Sequence, residues 1–589
     1  MTSPRVTAST LITRAVSYQF TRASQSLVEP IRIMRLGGGK PNPFHNMTTD
    51  VRYGDKKIGS ALISGQFNYA GQNVDVGIHG DPWTVMVPSP KYASWLHSFE
   101  WMNDLLAVDT KTKNKVIEKA AAIRTRSLVD SWVKHYGQWN SFSWDVGTLT
   151  PRLWYWLVHW EPVLSSDNAS EKSAARRSCV VRQLKYLRSK YKALRPSALK
   201  LHTAAVIALG GARLTGRSEI YLNRGLDWLD DEIENQILSD GGHISRSPEI
   251  TFQCLEILLT LDTLLADRGV EGTRTISRAI DRLTPIVAFF KHTDGRLASF
   301  NGGGRSNAGR IQAVLSSSPG EAKAFSYAHH TQYQRMASGE TVIIMDTGST
   351  PPKGYDSEAH LAPLAFEMST DLGCLLVNCG WHEEQSQGWR RPMRSSAAHS
   401  TLTLEEASPG QLLPLGWKTK LMGEVIQIEA GPAKAACKEQ DVGIWLESTH
   451  RGYLKRTGLA HRRRLFMAKE GLDIRGEDSL FVPLGESPLS RDPKTFDLRF
   501  HFHPDIQVSL SQDQSSALLV QRGKAGWRFR SDRGPLKLES SVYLAEGHRP
   551  TKCQQLVISG DALSDNDGEG RTNRVRWSFQ KLEGRRNNG

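Results

Sequence analysis

Three places in the sequence carry side chains whose types and spacing could move protons or hold charge. In SEAHLAPLAFEM, Ser357 to Met368, Glu358 and His360 stand two residues apart, so an extended chain would point carboxylate and imidazole the same way. In DGGHISRSPE, His243 and Arg246 directly precede Ser247, Pro248 and Glu249, residue types that cap and open a helix. That spacing would hold a cation and an imidazole at a helix N-terminus, a place that favours an anion, although a solvated Arg246 fits as well. His360, Asn378 in VNCG and His399 in RSSAAHSTLTL each adjoin a β-type run. If strand pairing gathers them, two imidazoles and an oxygen would suit zinc or another borderline divalent metal; the alternative is that each histidine is hydrogen-bonded in place.

Aromatic residues add a fourth feature. Six tryptophans lie between Trp132 and Trp160. Helix packing accounts for most of them, but QWNSFSWD reads as a loop, from which Trp139 and Trp144 could stack on a sugar or a base.

The elements that must position these residues divide the chain in two. Helical spacing runs through Tyr92 to Leu106, Lys115 to Tyr136, Leu149 to Leu164, Ser173 to Leu194, Leu201 to Leu214, Glu219 to Leu238, Ser247 to Leu265 and Thr275 to Lys291. Beyond about residue 331 the period becomes two. Phe496, Leu498, Phe500 and Phe502 share one face, as do Val575, Trp577 and Phe579, and Leu364, Phe366 and Met368 oppose Glu367 and Ser369 on what reads as a half-buried strand. Many short strands without intervening helices indicate an antiparallel β-sandwich. The expected organisation is an N-terminal extension or cap over 1–90, with extended pieces and turns in 51–90, a helical domain over 91–310, a linker over 311–330 and a sandwich over 331–589. The linker reading rests on the small and polar residues of NGGGRSNAGRIQAVLSSSPG.

With 589 residues, 75 Lys plus Arg against 61 Asp plus Glu and a net charge of +14, the chain reads as a basic, soluble multidomain protein. Six cysteines without a CxxC pair form neither a disulfide framework nor a thiolate zinc site. The arginine-containing N-terminus lacks a continuous apolar signal core, and no apolar run is long enough to span a bilayer, so a cytoplasmic location is expected. No nucleic-acid motif or concentrated basic tract accompanies the charge, and nucleic acid is not an expected partner.

Together, the helical half followed by a sandwich, the GGHISRSP turn, SEAHLAPLAFEM, VNCG and RSSAAHSTLTL resemble the heparinase II/III-like polysaccharide lyases from about residue 60 onward. The resemblance implies an incomplete (α/α) toroid packed on an antiparallel β-sandwich, an acidic, uronate-containing polysaccharide bound between them, and cleavage by β-elimination. It implies Arg246 and His243 at the uronate carboxylate, Glu358 or Tyr355 in proton transfer, and His360 and His399 structuring the sandwich side around a divalent metal such as zinc, with no organic cofactor. It also raises a cell-envelope or periplasmic location as the alternative. The departures are specific: Ile250 stands where lyases carry a tyrosine after the Ser-Pro, Glu358 where they begin His-x-His, and Asn378 where they carry a metal-binding aspartate, whereas His399 keeps the place of the last metal histidine. The proton must then come from another residue, such as Tyr355, His243 or His202, or the chain binds acidic glycan without cleaving it. A glycoside hydrolase on a similar toroid ranks lower, because no carboxylate pair stands out in the helical half.

Overall fold

The periodic segments of the first half become the helices Lys115–Tyr136, Val146–Val158, Glu171–Lys190, Ala198–Arg213, Glu219–Gln236, Pro248–Asp267 and Arg274–Phe289. These come from a computed structural model, which describes residues 42–582 apart from 50–52, 109–114, 166–169, 216–218, 432, 487–493, 523–525, 564 and 567–570. The arginine-containing N-terminal stretch lies outside the described residues. The segment Tyr92 to Leu106, which reads as one helix, is two, Pro90–Ser98 and Met102–Ala107. Phe99 ends the first in a left-handed conformation (φ 60°), and burial of its ring against Trp101 and Trp156 holds that turn. Another helix, Lys56–Ile63, and a hairpin of Gln66–Tyr69 with Gln72–Asp75 occupy the region expected to hold extended pieces and turns.

Alternate helices lie side by side. Pro90–Ser98, Val146–Val158, Ala198–Arg213, Pro248–Asp267 and Ala308–Ser317 form one row; behind it Lys115–Tyr136 packs on Glu171–Lys190, and Glu219–Gln236 on Arg274–Phe289. This double row is the incomplete toroid. Among the described residues no helix is long and apolar enough to cross a membrane.

Among the described residues, the second half builds two nine-stranded antiparallel sheets. Thr495–Phe502, Gly373–Val377, Phe366–Thr370, Thr341–Asp346 and Tyr333–Ser338 run side by side in the first sheet. Gly443–His450, Ala460–Ala468, Asp473–Phe481, Arg571–Lys581 and Trp527–Ser531 do so in the second. The alternating residues meet between the sheets as their spacing requires, Phe500 against Trp577 at 5.0 Å and against Phe579 at 6.0 Å between ring centroids.

The toroid covers the other face of the first sheet, where Tyr333, Val342 and Ile344 join the helical core. Phe366–Thr370 is therefore buried on both sides, and Glu367 and Ser369, expected to face outward, are enclosed. Glu358 and His360 lie in the loop before this strand. The region expected as a linker, 311–330, begins inside the helix Ala308–Ser317.

Candidate functional site

The cap ahead of Pro248–Asp267 forms as its residues dictate: Ser247 Oγ accepts from the Ile250 N–H at 3.4 Å, and Pro248 opens the helix. Arg246, just before the cap, takes a positive φ of 61°, and its side chain crosses from the helical half to the sandwich. Its Nε donates to Thr331 O at 2.8 Å, one Nη to Ser349 O at 2.8 Å, and the other to the Asp346 carboxylate. The guanidinium lies 4.8 Å from the Tyr333 ring centroid, and the Tyr333 hydroxyl donates to Arg246 O at 2.8 Å. Arg246 and Asp346 side chains are only 7% and 8% exposed. Burial works against the guanidinium charge, but Asp346 and Tyr333 more than offset it. The anion expected at this cation is thus internal, supplied by Asp346.

Asn301 ties this clamp to the histidines. Its amide donates to Tyr333 Oη at 2.7 Å, and its Oδ1 accepts from the His360 N–H at 2.9 Å. His399 Nδ1 lies 2.7 Å from Ser395 O, and its Nε2 lies 2.7 Å from His360 Nδ1, a nitrogen that the Asn301 N–H also faces at 3.1 Å. His360 Nε2 accepts from Gly302 N–H at 3.1 Å. Burial lowers both pKa values, that of His399 to about 4. The next glycines are packed rather than free: a Cβ on Gly302 would strike Glu358, on Gly303 Glu249 and on Gly304 His382. Gly302 and Gly303 also have positive φ, 82° and 81°. Glu358 itself faces Arg390 in a two-armed pair, Nε to Oε2 at 2.9 Å.

The residues proposed for a metal do not fit one. Asn378 spends its amide locally, Oδ1 accepting from Ser400 N–H at 3.1 Å and Nδ2 reaching Glu367 at 3.3 Å. His360 and His399 are hydrogen-bonded to each other, and among the described residues no group of three His, Cys, Asp or Glu is disposed to hold a metal ion. Sequence reasoning missed Glu367, whose carboxylate accepts from Ser299 N–H at 3.0 Å and Asn378 N–H at 3.1 Å and faces His292 Nε2 at 3.2 Å. It also missed Asp346, Asn301 and Arg390. The polar residue in an otherwise apolar strand was the available signal for Glu367.

His243 is buried, with Nδ1 accepting from Ser245 N–H at 3.1 Å and Nε2 bonded to Gln236 Oε1 at 2.8 Å. Burial pushes its pKa down to about 3. Tyr355 stands edge-on to that ring at 6.0 Å, half-buried, its phenol raised to about 12 by burial and then Glu232. Its hydroxyl has no hydrogen-bond partner among the described residues. His202 packs edge-on to Trp154 at 5.3 Å, and burial lowers it to about 4. Trp144 is enclosed in the helical core, its indole N–H donating to Tyr136 O at 3.2 Å, so it offers no face to a ligand. Trp139 is half-buried against the same core.

Beside the seam, Tyr69 stacks on Trp95 at 4.8 Å, and Lys91 of the toroid donates to the carbonyls of Glu383 and Gln385 in the sandwich. Glu100, exposed and close to Tyr69, has its carboxyl pushed up to about 8 by desolvation and then by Glu383. Glu249 is raised too, by burial, and hydrogen-bonds Ser306. Arg310 faces Glu256, Nε to Oε1 at 2.9 Å.

Known proteins share this architecture. Residues 320–578 match the family model "Heparinase II/III-like, C-terminal". Over 558 residues the chain is 32% identical to FtsZ-localized protein C of Caulobacter vibrioides (strain NA1000 / CB15N), covering 92% of this chain and 91% of that one. A heparinase III crystal structure superposes with a TM-score of 0.65 at 14% identity, covering 98% of this chain and 91% of that one. Heparan sulfate lyase HepC from Pedobacter heparinus does so with a TM-score of 0.56 at 15% identity, covering 99% and 92%. Helical toroid, covered sandwich and sequence matches agree, and the chain belongs to the heparinase II/III-like family.

Proposed function

We propose that this chain is a glycan-binding protein on a lyase scaffold, with the residues at the elimination site turned to holding toroid and sandwich together. The commitment of Arg246 carries the reading. β-Elimination needs a cation or hydrogen-bond donors to neutralise the uronate carboxylate, and this guanidinium spends its donors on Thr331, Ser349 and Asp346. The neighbouring cations are likewise engaged, Arg390 with Glu358, Arg310 with Glu256, and Lys91 with backbone carbonyls. His243 is neutral with both nitrogens bonded, and Ile250 occupies the place of the family's tyrosine.

The aromatic and acidic residues beside the seam also bear on ligand class. Glu100, Glu249 and Glu383 would repel a densely sulfated or carboxylated chain, whereas the Tyr69–Trp95 stack suits a sugar presenting hydroxyls, amides or amines. Electrophoresis of the protein through gels cast with acidic, neutral or amino-sugar polysaccharides tests this. Retardation by a neutral or amino-sugar polymer that keeps its length supports the reading; depolymerisation overturns it.

The relative's name describes that protein as FtsZ-localized. Identity across most of both chains supports extending this, and we propose that the present chain also localises with FtsZ. Co-sedimentation with FtsZ polymers tests it, and protein left wholly in the supernatant contradicts it.

A second reading, lyase action on a uronate-containing polysaccharide, is favoured by Tyr355. Its unbonded phenol beside His243 is a group that could exchange a proton with substrate. On that reading Tyr355→Phe abolishes the formation of unsaturated uronate ends while leaving the fold intact.

A further inference from the structure

The second sheet turns one face to the sandwich core and the other to solvent. Pairing across its strands aligns Trp445 with Phe466, Phe466 with Arg475, Arg475 with Ser578, and Ser578 with Arg530, one continuous outward row. A neighbouring row aligns Glu447, Arg464, Glu477 and Arg576. The inward alternates Leu446, Leu465, Ile474 and Phe529 fill the core, so period-two geometry fixes the outward direction of these rows. Together they line an open groove of about 840 Å³.

The chemistry of this groove is unlike that of an ordinary solvated sheet. Trp445 is 47% exposed and its ring lies 4.5 Å from that of Phe466, with the Arg475 guanidinium 6.0 Å beyond. The Arg475 and Arg576 side chains are 67% and 62% exposed, Arg475 paired with Asp473 at 2.7 Å and Arg576 with Glu477 at 3.2 Å. Arg528 and Arg530 have no ion-pair partner among the described residues. Exposed tryptophan and arginine around an aromatic platform are the types that dominate protein-binding surfaces.

We propose that this outer face docks an acidic polypeptide segment of a partner, with an apolar residue on the Trp445–Phe466 platform and carboxylates on Arg475 and Arg530. Charge selects the occupant. A second copy of this chain, at +14, would bring arginines against arginines. A nucleic-acid backbone or an anionic bilayer presents negative charge without interruption and would meet Glu447, Glu477 and Asp473, which stand among the arginines. A peptide can space its carboxylates around them. From Trp445 to Arg530 the row crosses four strand spacings, about 19 Å, which an extended segment of about six residues spans.

The test is fluorescence anisotropy with the full chain and a labelled peptide carrying four glutamates around a central Leu-Phe pair. A glutamine version, a single-stranded oligonucleotide and phosphatidylglycerol vesicles serve as competing probes. The glutamate peptide is expected to bind, and Trp445→Ala and the double variant Arg475→Ala/Arg530→Ala each to weaken it at least tenfold. Circular dichroism of these exposed-residue variants should match the parent, so loss of binding is not loss of fold. Equal binding of the glutamine peptide, no effect of either variant, no peptide binding, or tighter binding of oligonucleotide or vesicles each overturns the proposal.

Discussion

The seam between toroid and sandwich and the outer face of the second sheet use the same residue types to opposite ends. At the seam, Arg246 is buried against Asp346 and Tyr333, with its donors engaged. On the outer face, Trp445 and Arg475 are exposed, Arg475 paired only with the surface carboxylate of Asp473, and Arg530 has no ion-pair partner among the described residues. An arginine beside an aromatic ring therefore says little about function until its burial is known. Buried and satisfied it holds a fold together, and exposed it is available to a partner.

The difference should be largest in stability. Arg246→Ala leaves Asp346 buried without its counter-charge and is expected to lower unfolding free energy by about 3–5 kcal/mol in denaturant titrations. A loss below about 1 kcal/mol would remove the clamp from the account. Next comes Gly303→Ala, which places a Cβ on a φ of 81° against Glu249 and should cost about 1–3 kcal/mol, read as a fall in Tm.

Acid sharpens the comparison further. His243 is held at about 3 and His399 at about 4, both below the ordinary 6.5. The unfolded chain binds their protons first, so this stability is fully present above about pH 6.5 and is lost as pH falls towards 3 to 4. Removing one such proton, as in His243→Asn, should reduce the slope of stability against pH in that window by about 1.4 kcal/mol per unit. Unfolding titrations at several pH values check it, and an unchanged slope would contradict the burial of neutral His243. The smallest effect belongs to the outer face, where Trp445→Ala should move stability by no more than about 0.5 kcal/mol in the same titrations.

Local signals in the sequence located the cap of Pro248–Asp267 and the inward faces of Thr495–Phe502 and Arg571–Lys581, because capping and alternation depend on near neighbours. The destination of Arg246 was not legible. Thr331 and Asp346 lie 85 and 100 residues away, and nothing local specifies that crossing. Glu367 was read on the correct side of its strand but as exposed, since alternation reveals a face and not what covers it. Asn301–Gly304 read as part of a linker because glycine signals freedom, whereas here it permits close packing against Glu358, Glu249 and His382. The adjacency of His243 and Tyr355 likewise appears only once toroid and sandwich are docked.

The central claim is that elimination residues have become structural. Its most direct test is the ultraviolet absorbance of unsaturated uronate ends when the purified full chain is incubated with heparan sulfate, alginate and other acidic polysaccharides. The account predicts a flat trace on each of them from folded protein. A rise that disappears in Tyr355→Phe would contradict it and establish the chain as a lyase.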